Sequence, residues 1–120
     1  MSIAYDLFAD SKKKESFSPG DVIFSQGQKG DFMYVILEGE VLIIAGSHVV
    51  DELSQGDLFG EMALIDESPR SATATAKSEA ILAPVDQADF LFLIQHSPFF
   101  SIHVMRILAE RMRRMLTAKG

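Results

Sequence analysis

Short apolar segments alternate with turn residues between residues 19 and 85, and this alternation limits the possible folds more than any other feature of the chain. Each segment is a few residues long and rich in β-branched or aromatic side chains, which is typical of strands. Because tight turns connect the segments, we expect an antiparallel β-roll or barrel rather than βαβ units. The predicted strands cover residues 22–24, 33–37, 41–45, 48–53, 58–59, 73–76 and 80–85.

One of these turns makes a specific prediction about strand pairing. Glu38-Gly39-Glu40 separates the apolar segments 33–37 and 41–45. A short glycine-containing connection between two such segments is typical of a β-hairpin. The sequence therefore predicts that these two strands pair with each other, and Gly46-Ser47 forms a second tight turn before the next strand.

Helical patterns flank the strands at both ends of the chain. Residues 3–9 form a weakly amphipathic segment that predicts a helix. Near the other end of the chain, Asp86 is placed to cap a helix over 87–95, and Ser97-Pro98 ends that helix. A longer helix follows over 99–116. The length of 120 residues and the apolar content of 48% suit one packed domain. We predict a single α+β domain over 1–120, with an N-terminal helical segment (1–16), a β-roll (17–85) and two C-terminal helices (86–120).

The last predicted helix carries a narrow apolar stripe. Its members recur at spacings of three and four residues, as in a coiled-coil seam. We expect the stripe to pack in the core, and a homodimer seam through this helix is the open alternative. The stripe consists of Ile102, Met105, Leu108, Ala109, Met112, Met115 and Leu116, whereas Arg106, Glu110, Arg111, Arg113 and Arg114 lie largely off it.

The segment from Phe59 to Thr73 contains the residues best suited to bind a ligand. Gly60 allows backbone N–H groups to approach an anion, and a short helix starting there would direct further N–H groups at it. Arg70 offers a planar donor fork that suits phosphate oxygens. Glu61 would repel a phosphate, but as a pure acceptor it suits a sugar hydroxyl. The segment therefore predicts a site for one small anion next to one hydroxyl.

The residues FGEMAL (59–64) and PRSAT (69–73) closely resemble the phosphate-binding cassette of cyclic nucleotide-binding domains. The resemblance runs from about Phe17 to the end and includes the stretch PGDVIFSQGQKGDFMYVILEGEV. It implies a β-roll fold, followed by a hinge-and-lid helix that covers the purine or forms a dimer interface. The ligand-binding residues that it implies are Phe59, Gly60, Glu61, Met62, Ala63, Arg70, Ser71 and Ala72.

The resemblance implies a regulatory sensor that binds a 3′,5′-cyclic purine nucleotide and switches its C-terminal helices. Serine at position 71 also occurs in catabolite activators that respond to cyclic AMP, so cyclic AMP is favoured over cyclic GMP. No aromatic residue occurs after Ile102. An aliphatic residue of the last helix would therefore cover the purine, and the candidates are Met105, Ile107, Leu108 and Met112.

Several other classes of function lack the residues that they need. Cysteine is absent, and the 3 histidines, His48, His96 and His103, show no metal-ligand spacing, so we expect no metal site and no cofactor besides the cyclic nucleotide. Catalytic motifs such as G-x-S-x-G or a P-loop are also absent, and we expect no enzyme. Neither a secretory signal nor a membrane-spanning run is present, which predicts a cytoplasmic protein without membrane contact.

The net charge of −6 argues against nucleic-acid binding by the whole domain. The chain also ends without room for the helix-turn-helix of the DNA-binding members of the resembling family, so we expect no direct DNA contact. We expect the domain to act on a downstream protein that the sequence does not identify. Two alternatives remain open. The domain could be an interaction or dimerisation module that binds no cyclic nucleotide, or the regulatory fragment of a larger channel, kinase or transcription factor.

Overall fold

Two four-stranded antiparallel sheets form the body of the protein, with helices at both ends of the chain. The computed structural model describes residues 3–119. Residues 1, 2 and 120, which the predicted terminal segments include, lie outside the described residues, as do the side chains of residues 118 and 119. The elements are α1 (Ile3–Phe8), β1 (Glu15–Phe17), β2 (Val22–Phe24), β3 (Phe32–Glu38), β4 (Val41–Ala45), β5 (His48–Leu53), β6 (Leu58–Phe59), α2 (Met62–Asp66), β7 (Thr73–Ala76), β8 (Ala80–Asp86), α3 (Gln87–His96) and α4 (Pro98–Lys119).

The two sheets have the strand orders β1-β8-β3-β6 and β2-β7-β4-β5. One apolar cluster lies around Ile36 and Phe59 of the first sheet and Val41 of the second. A second cluster joins the first sheet to the helices and contains Val35 together with Phe90 and Phe100. Strand β3 contributes alternate residues to both clusters, which explains why its apolar run is continuous. The predicted α+β fold, an antiparallel β-roll with one N-terminal and two C-terminal helices, is confirmed.

The hairpin prediction at Glu38-Gly39-Glu40 is wrong. Strand β3 pairs with β6 and β8, whereas β4 pairs with β5 and β7, so this turn carries the chain from one sheet to the other. Gly39 packs against the backbone of Glu79 and Ala80, at the start of β8. This long-range contact fixes the direction of the turn, and the local sequence contains no sign of it. The turn at Gly46 does join a hairpin, β4–β5.

The capping prediction for α3 agrees with the structure. The Asp86 side chain accepts a hydrogen bond of 2.8 Å from the backbone N–H of Asp89. Helix α4 begins directly after Ser97, at Pro98, where proline is tolerated because the first turn needs no N–H donor. Strand β1 was not predicted, because Glu15-Ser16-Phe17 has little strand character; its pairing with residues 80–82 of β8 makes it a strand.

The apolar stripe predicted for the last helix does not form the core contact of α4. Phe100 and Val104 are buried, and Ile107 and Leu108 pack against the same cluster. Apolar residues occur on more than one side of this helix, so the spacing alone did not identify the packed side. Leu108 and Ala109 of the stripe are partly buried, whereas its other members, Ile102, Met105, Met112, Met115 and Leu116, are exposed.

Candidate functional site

A cavity of about 610 Å³ opens between the second sheet, the segment after β6 and the helix α4. This volume lies within the range of about 300–1,000 Å³ that is typical of small-molecule sites. All the residues predicted to bind a ligand line it: Phe59, Gly60, Glu61, Met62, Ala63, Arg70, Ser71 and Ala72. Sequence reasoning missed its other lining residues, which are Phe24, Ile43, Ala45, Val50, Asp51, Arg111, Arg114 and Met115.

The turn after β6 brings Glu61 and the short helix α2 to the edge of this cavity. Phe59 pairs with Tyr34 of β3 and is almost fully buried. Gly60 then adopts a φ of +82°, which few residues other than glycine tolerate, and a side chain there would also meet the Arg70 guanidinium. Glu61 occupies the N-cap position of α2, a helix of 5 residues. The first N–H groups of a helix have no partner within it, so α2 presents donors beside the cavity.

Arg70 is buried, with only 7% of its surface exposed. Its Nη1 donates to the Gly60 carbonyl oxygen at 2.9 Å, and its Nη2 donates to the carbonyl oxygen of Phe32. The guanidinium carbon lies 3.9 Å from the centre of the Phe24 ring, a cation–π contact. Burial lowers the pKa of the Arg70 guanidinium from its ordinary value. An arginine nevertheless stays protonated, so Arg70 places a fixed positive charge at the cavity.

These hydrogen bonds use only the two terminal nitrogens of Arg70. Its Nε is buried and has no hydrogen-bond partner within the part of the chain that the structure describes. The backbone around it is fixed, because the Arg70 N–H donates to Gln28 and its carbonyl accepts from Gly27, each at 2.8 Å. A buried donor without a partner is costly, and a bound anion is one way to satisfy it.

Glu61 forms an ion pair that the sequence did not reveal. Its side chain is only 1% exposed, and its Oε1 accepts a hydrogen bond from Nη1 of Arg111 on α4. Arg111 also donates from Nη2 to the Leu58 carbonyl oxygen at 2.9 Å. The arginines of this helix were expected to lie off the packed stripe, and nothing in the pattern linked Arg111 to Glu61. The counter-charge allows the Glu61 carboxylate to remain buried.

Strand β5 and the second half of α4 complete the lining of the cavity. Asp51, Arg114 and Met115 lie there. The residues proposed from sequence to cover a purine were Met105, Ile107, Leu108 and Met112, and none of them lines the cavity. The aliphatic residue of α4 that lines the cavity is instead Met115, one turn beyond Arg111 on the same side of the helix.

The cavity therefore combines a mostly apolar lining with a few charges at defined places. Arg70 and the start of α2 suit a small anion, and Glu61 suits a neighbouring hydroxyl or another donor. The aromatic rings of Phe24 and Phe59, 5.8 Å apart, together with Ile43 and Val50, provide apolar surface. A small molecule with an anionic group, a hydroxyl and an apolar or flat portion would match this arrangement.

Within residues 3–119, no group of three His, Cys, Asp or Glu side chains is arranged to hold a metal ion. No single helix in this range has the length and apolarity to cross a membrane, and α3 with α4 reaches that threshold only as a pair bent by 111°.

Comparison with known proteins identifies the family. The model of the cyclic nucleotide-binding domain matches residues 14–97. The chain is 41% identical, over 77% of its length, to a cyclic nucleotide-gated potassium channel of Rhizobium etli, and covers 26% of that protein. It is 38% identical, over 68% of its length, to the cAMP-dependent protein kinase regulatory subunit of Dictyostelium discoideum, and covers 28% of it.

A solved structure agrees with these matches. The Thermus thermophilus catabolite activator protein superposes with a TM-score of 0.80 at 32% identity, over 88% of this chain and 52% of that one. The range that the family model matches contains the cassette, and the solved structure shares the fold. The chain belongs to the cyclic nucleotide-binding domain family.

Proposed function

We propose that the cavity binds a 3′,5′-cyclic purine nucleotide and that the chain acts as a regulatory sensor without catalytic activity. The observation that carries this proposal is the buried Arg70, whose Nε has no hydrogen-bond partner within residues 3–119, at an otherwise mostly apolar cavity. Burying charged groups is costly unless they are paired or serve a ligand. In a chain of net charge −6, an anionic ligand needs such a local positive site.

In the proposed complex, the cyclic phosphate contacts Arg70 and the backbone N–H groups of residues 60–63. The ribose hydroxyl donates to Glu61, and the purine extends toward Val50 and Met115. Ligand that binds one arrangement better than another shifts the population toward it. We propose that binding draws the cassette inward, that α3 and α4 repack as hinge and lid, and that residues 1–120 form one such domain.

The direct test is a thermal-shift and calorimetric screen with cyclic AMP, cyclic GMP and linear AMP. A ligand that binds only the folded state stabilises it by about 2.7 kcal/mol at a concentration of 100 Kd. We expect both cyclic compounds to raise the unfolding temperature and linear AMP to leave it unchanged. Equal effects of all three compounds, or none from any, would contradict the proposal.

We expect cyclic AMP to bind more tightly than cyclic GMP in the same screen. Ser71 lines the cavity, and the relative from Dictyostelium discoideum is named as the regulatory subunit of a cAMP-dependent protein kinase. A higher affinity for cyclic GMP would contradict this preference while leaving the ligand class intact.

Substitution of Glu61 tests the contact with the ribose. Because Gln keeps the size of the side chain but loses its charge, Glu61→Gln should weaken cyclic AMP binding by less than removal of Arg70. On the wild type, 2′-deoxy cyclic AMP should bind roughly 10-fold more weakly than cyclic AMP, since one hydrogen bond to a charged acceptor is lost. Calorimetry of both nucleotides on both proteins measures these differences.

The matched control is Glu67→Gln, which removes the same charge from an exposed position at the end of α2. It should bind both nucleotides like the wild type. If the wild type binds 2′-deoxy cyclic AMP as tightly as cyclic AMP, Glu61 does not contact the ribose.

The exposed stripe of α4 favours a second candidate, a dimerisation surface. Four of its exposed members recur at heptad spacing, as in a helix that packs against a second helix. They are Ile102, Met105, Met112 and Leu116. We propose that this face joins two copies of the chain or contacts the downstream partner. Sedimentation velocity would show a dimer in the first case.

Since the chain spans about a quarter of its channel and kinase relatives, the output of the sensor is proposed to lie in other parts of a longer protein.

A further inference from the structure

Four charged side chains connect α4 to the β-roll, and we refer to Asp51, Glu61, Arg111 and Arg114 as the ionic cluster. Arg114 donates to both oxygens of Asp51, at 3.3 Å from Nη1 and 3.1 Å from Nη2. The Arg111 Nε lies 3.9 Å from the Asp51 Oδ2, while the Arg111 Nη1 contacts Glu61. Asp51 thus forms ion pairs with both arginines, and Arg111 also forms an ion pair with Glu61 at the start of α2.

The position of Asp51 depends on an irregularity in β5. The register between β4 and β5 shifts between Ile43 and Ile44, so that Val50 becomes an extra residue beside Asp51. Such a bulge changes the direction of neighbouring side chains. The hydrogen bonds to Asp51, followed by its Coulomb attraction, raise the pKa of the Arg114 guanidinium above its ordinary value. These contacts make Asp51 the point on β5 where α4 is attached.

The second half of α4 has few other attachments. Its first half is anchored by the buried side chains of Phe100 and Val104. Farther along, Met112, Met115 and Leu116 are 60–67% exposed and contribute little apolar burial. The helix nevertheless covers the cavity in this region, where Arg111, Arg114 and Met115 line it. Charges, rather than a hydrophobic core, therefore hold the part of the helix that closes the cavity.

We propose that Asp51 is a positioning residue that keeps the end of α4 over the cavity and thereby sets how fast a bound nucleotide dissociates. Asp51 acts through Arg111 and Arg114 and is not assigned a contact with the phosphate or the ribose. The part of the proposal that concerns nucleotide release rests on the proposed function. Because Arg114 is half-exposed, salt weakens the attachment.

The first experiment requires no ligand. Hydrogen exchange of the backbone amides of residues 111–117 is measured in the wild type, in Asp51→Asn and in Glu52→Gln. Glu52 is the matched control, because it is an acidic neighbour on β5 that pairs with Lys77. We expect Asp51→Asn to speed exchange about two- to fivefold, as expected for a partly exposed ion pair. Glu52→Gln should leave the exchange unchanged.

A salt series and a conservative variant distinguish positioning from a general loss of stability. In the wild type, exchange of these amides should become faster when the salt concentration rises from about 0.05 to about 0.5 M, because the shorter Debye length screens the ion pairs. Asp51→Asn should show a smaller response to salt. Asp51→Glu keeps the carboxylate and should restore most of the protection. Equal exchange in Asp51→Asn and the wild type, or the same increase in the amides of β3, would overturn the proposal.

The second experiment measures dissociation of a fluorescent cyclic AMP analogue by stopped flow with excess unlabelled cyclic AMP. We expect the dissociation rate to rise about two- to fivefold in Asp51→Asn, with an association rate close to that of the wild type and no change in Glu52→Gln. An unchanged dissociation rate in Asp51→Asn would overturn the effect on release. Failure of the wild type to bind the analogue would instead refute the proposed function, and the exchange experiment would still decide whether Asp51 positions α4.

Discussion

Arg70→Ala should lower the affinity for cyclic AMP roughly 10- to 150-fold, because charge-assisted hydrogen bonds contribute about 1.5–3 kcal/mol each. The same change should also lower the unfolding temperature without ligand. Arg70 donates to the carbonyl oxygens of Gly60 and Phe32, and alanine would leave these groups without that donor. Titration calorimetry, performed well below the unfolding temperature of the variant, measures the affinity separately from the stability.

Two further variants separate the charge of Arg70 from its geometry. Arg70→Lys keeps the positive charge but lacks the planar fork, so it should bind with intermediate affinity. Arg113→Ala removes the same charge from an exposed position on α4 and should bind like the wild type. If folded Arg70→Ala binds cyclic AMP with the wild-type Kd, the phosphate does not contact Arg70.

Gly39→Ala should cause the largest loss of stability among single glycine substitutions in the turns. A Cβ at this position would lie 2.1 Å from the carbonyl oxygen of Glu79 and 2.8 Å from the Cα of Ala80, and both are backbone atoms. The φ of +90° adds a penalty of about 1–2 kcal/mol for any residue with a side chain. Together with the overlap, we expect a loss of about 2–5 kcal/mol in the free energy of unfolding.

Gly27→Ala is the matched control for this prediction. Gly27 has a φ of +89°, but no atom lies within 4 Å of the Cβ that would be added. The control therefore loses only the contribution from φ and should be destabilised by about 1–2 kcal/mol. Denaturant unfolding of both variants gives the two values. Equal losses would show that the contact between Gly39 and β8 contributes nothing.

The predictions that agree with the structure depend on patterns that are local in sequence. The capping of α3 by Asp86 needs only residues within one turn, and β5 is bounded by the turns on either side of it. The cassette is also short in sequence, and its residues 59–63 and 70–72 line one cavity. Their individual contacts with a nucleotide remain predictions.

What the sequence did not predict depends on contacts between distant residues. The ion pair between Glu61 and Arg111 joins residues 50 positions apart. The direction of the turn at Gly39 depends on the start of β8. For α4, the choice of the packed side depended on how the helix meets the roll, since both sides offered apolar residues. Each of these contacts forms only when the chain is folded.

The strand order of the roll has a consequence for how the protein folds. Strand β1 pairs with β8, and β2 pairs with β7, so the ends of the roll must meet before either sheet is complete. Such non-local pairing slows folding, and folding times of about milliseconds to seconds are typical of β-rich domains. Arg70 donates to the backbone of Gln28 and to that of Phe32, which lies 38 positions earlier in the chain, so we expect its surroundings to form late in folding. A ligand that requires those surroundings would slow unfolding and leave the rate of folding unchanged.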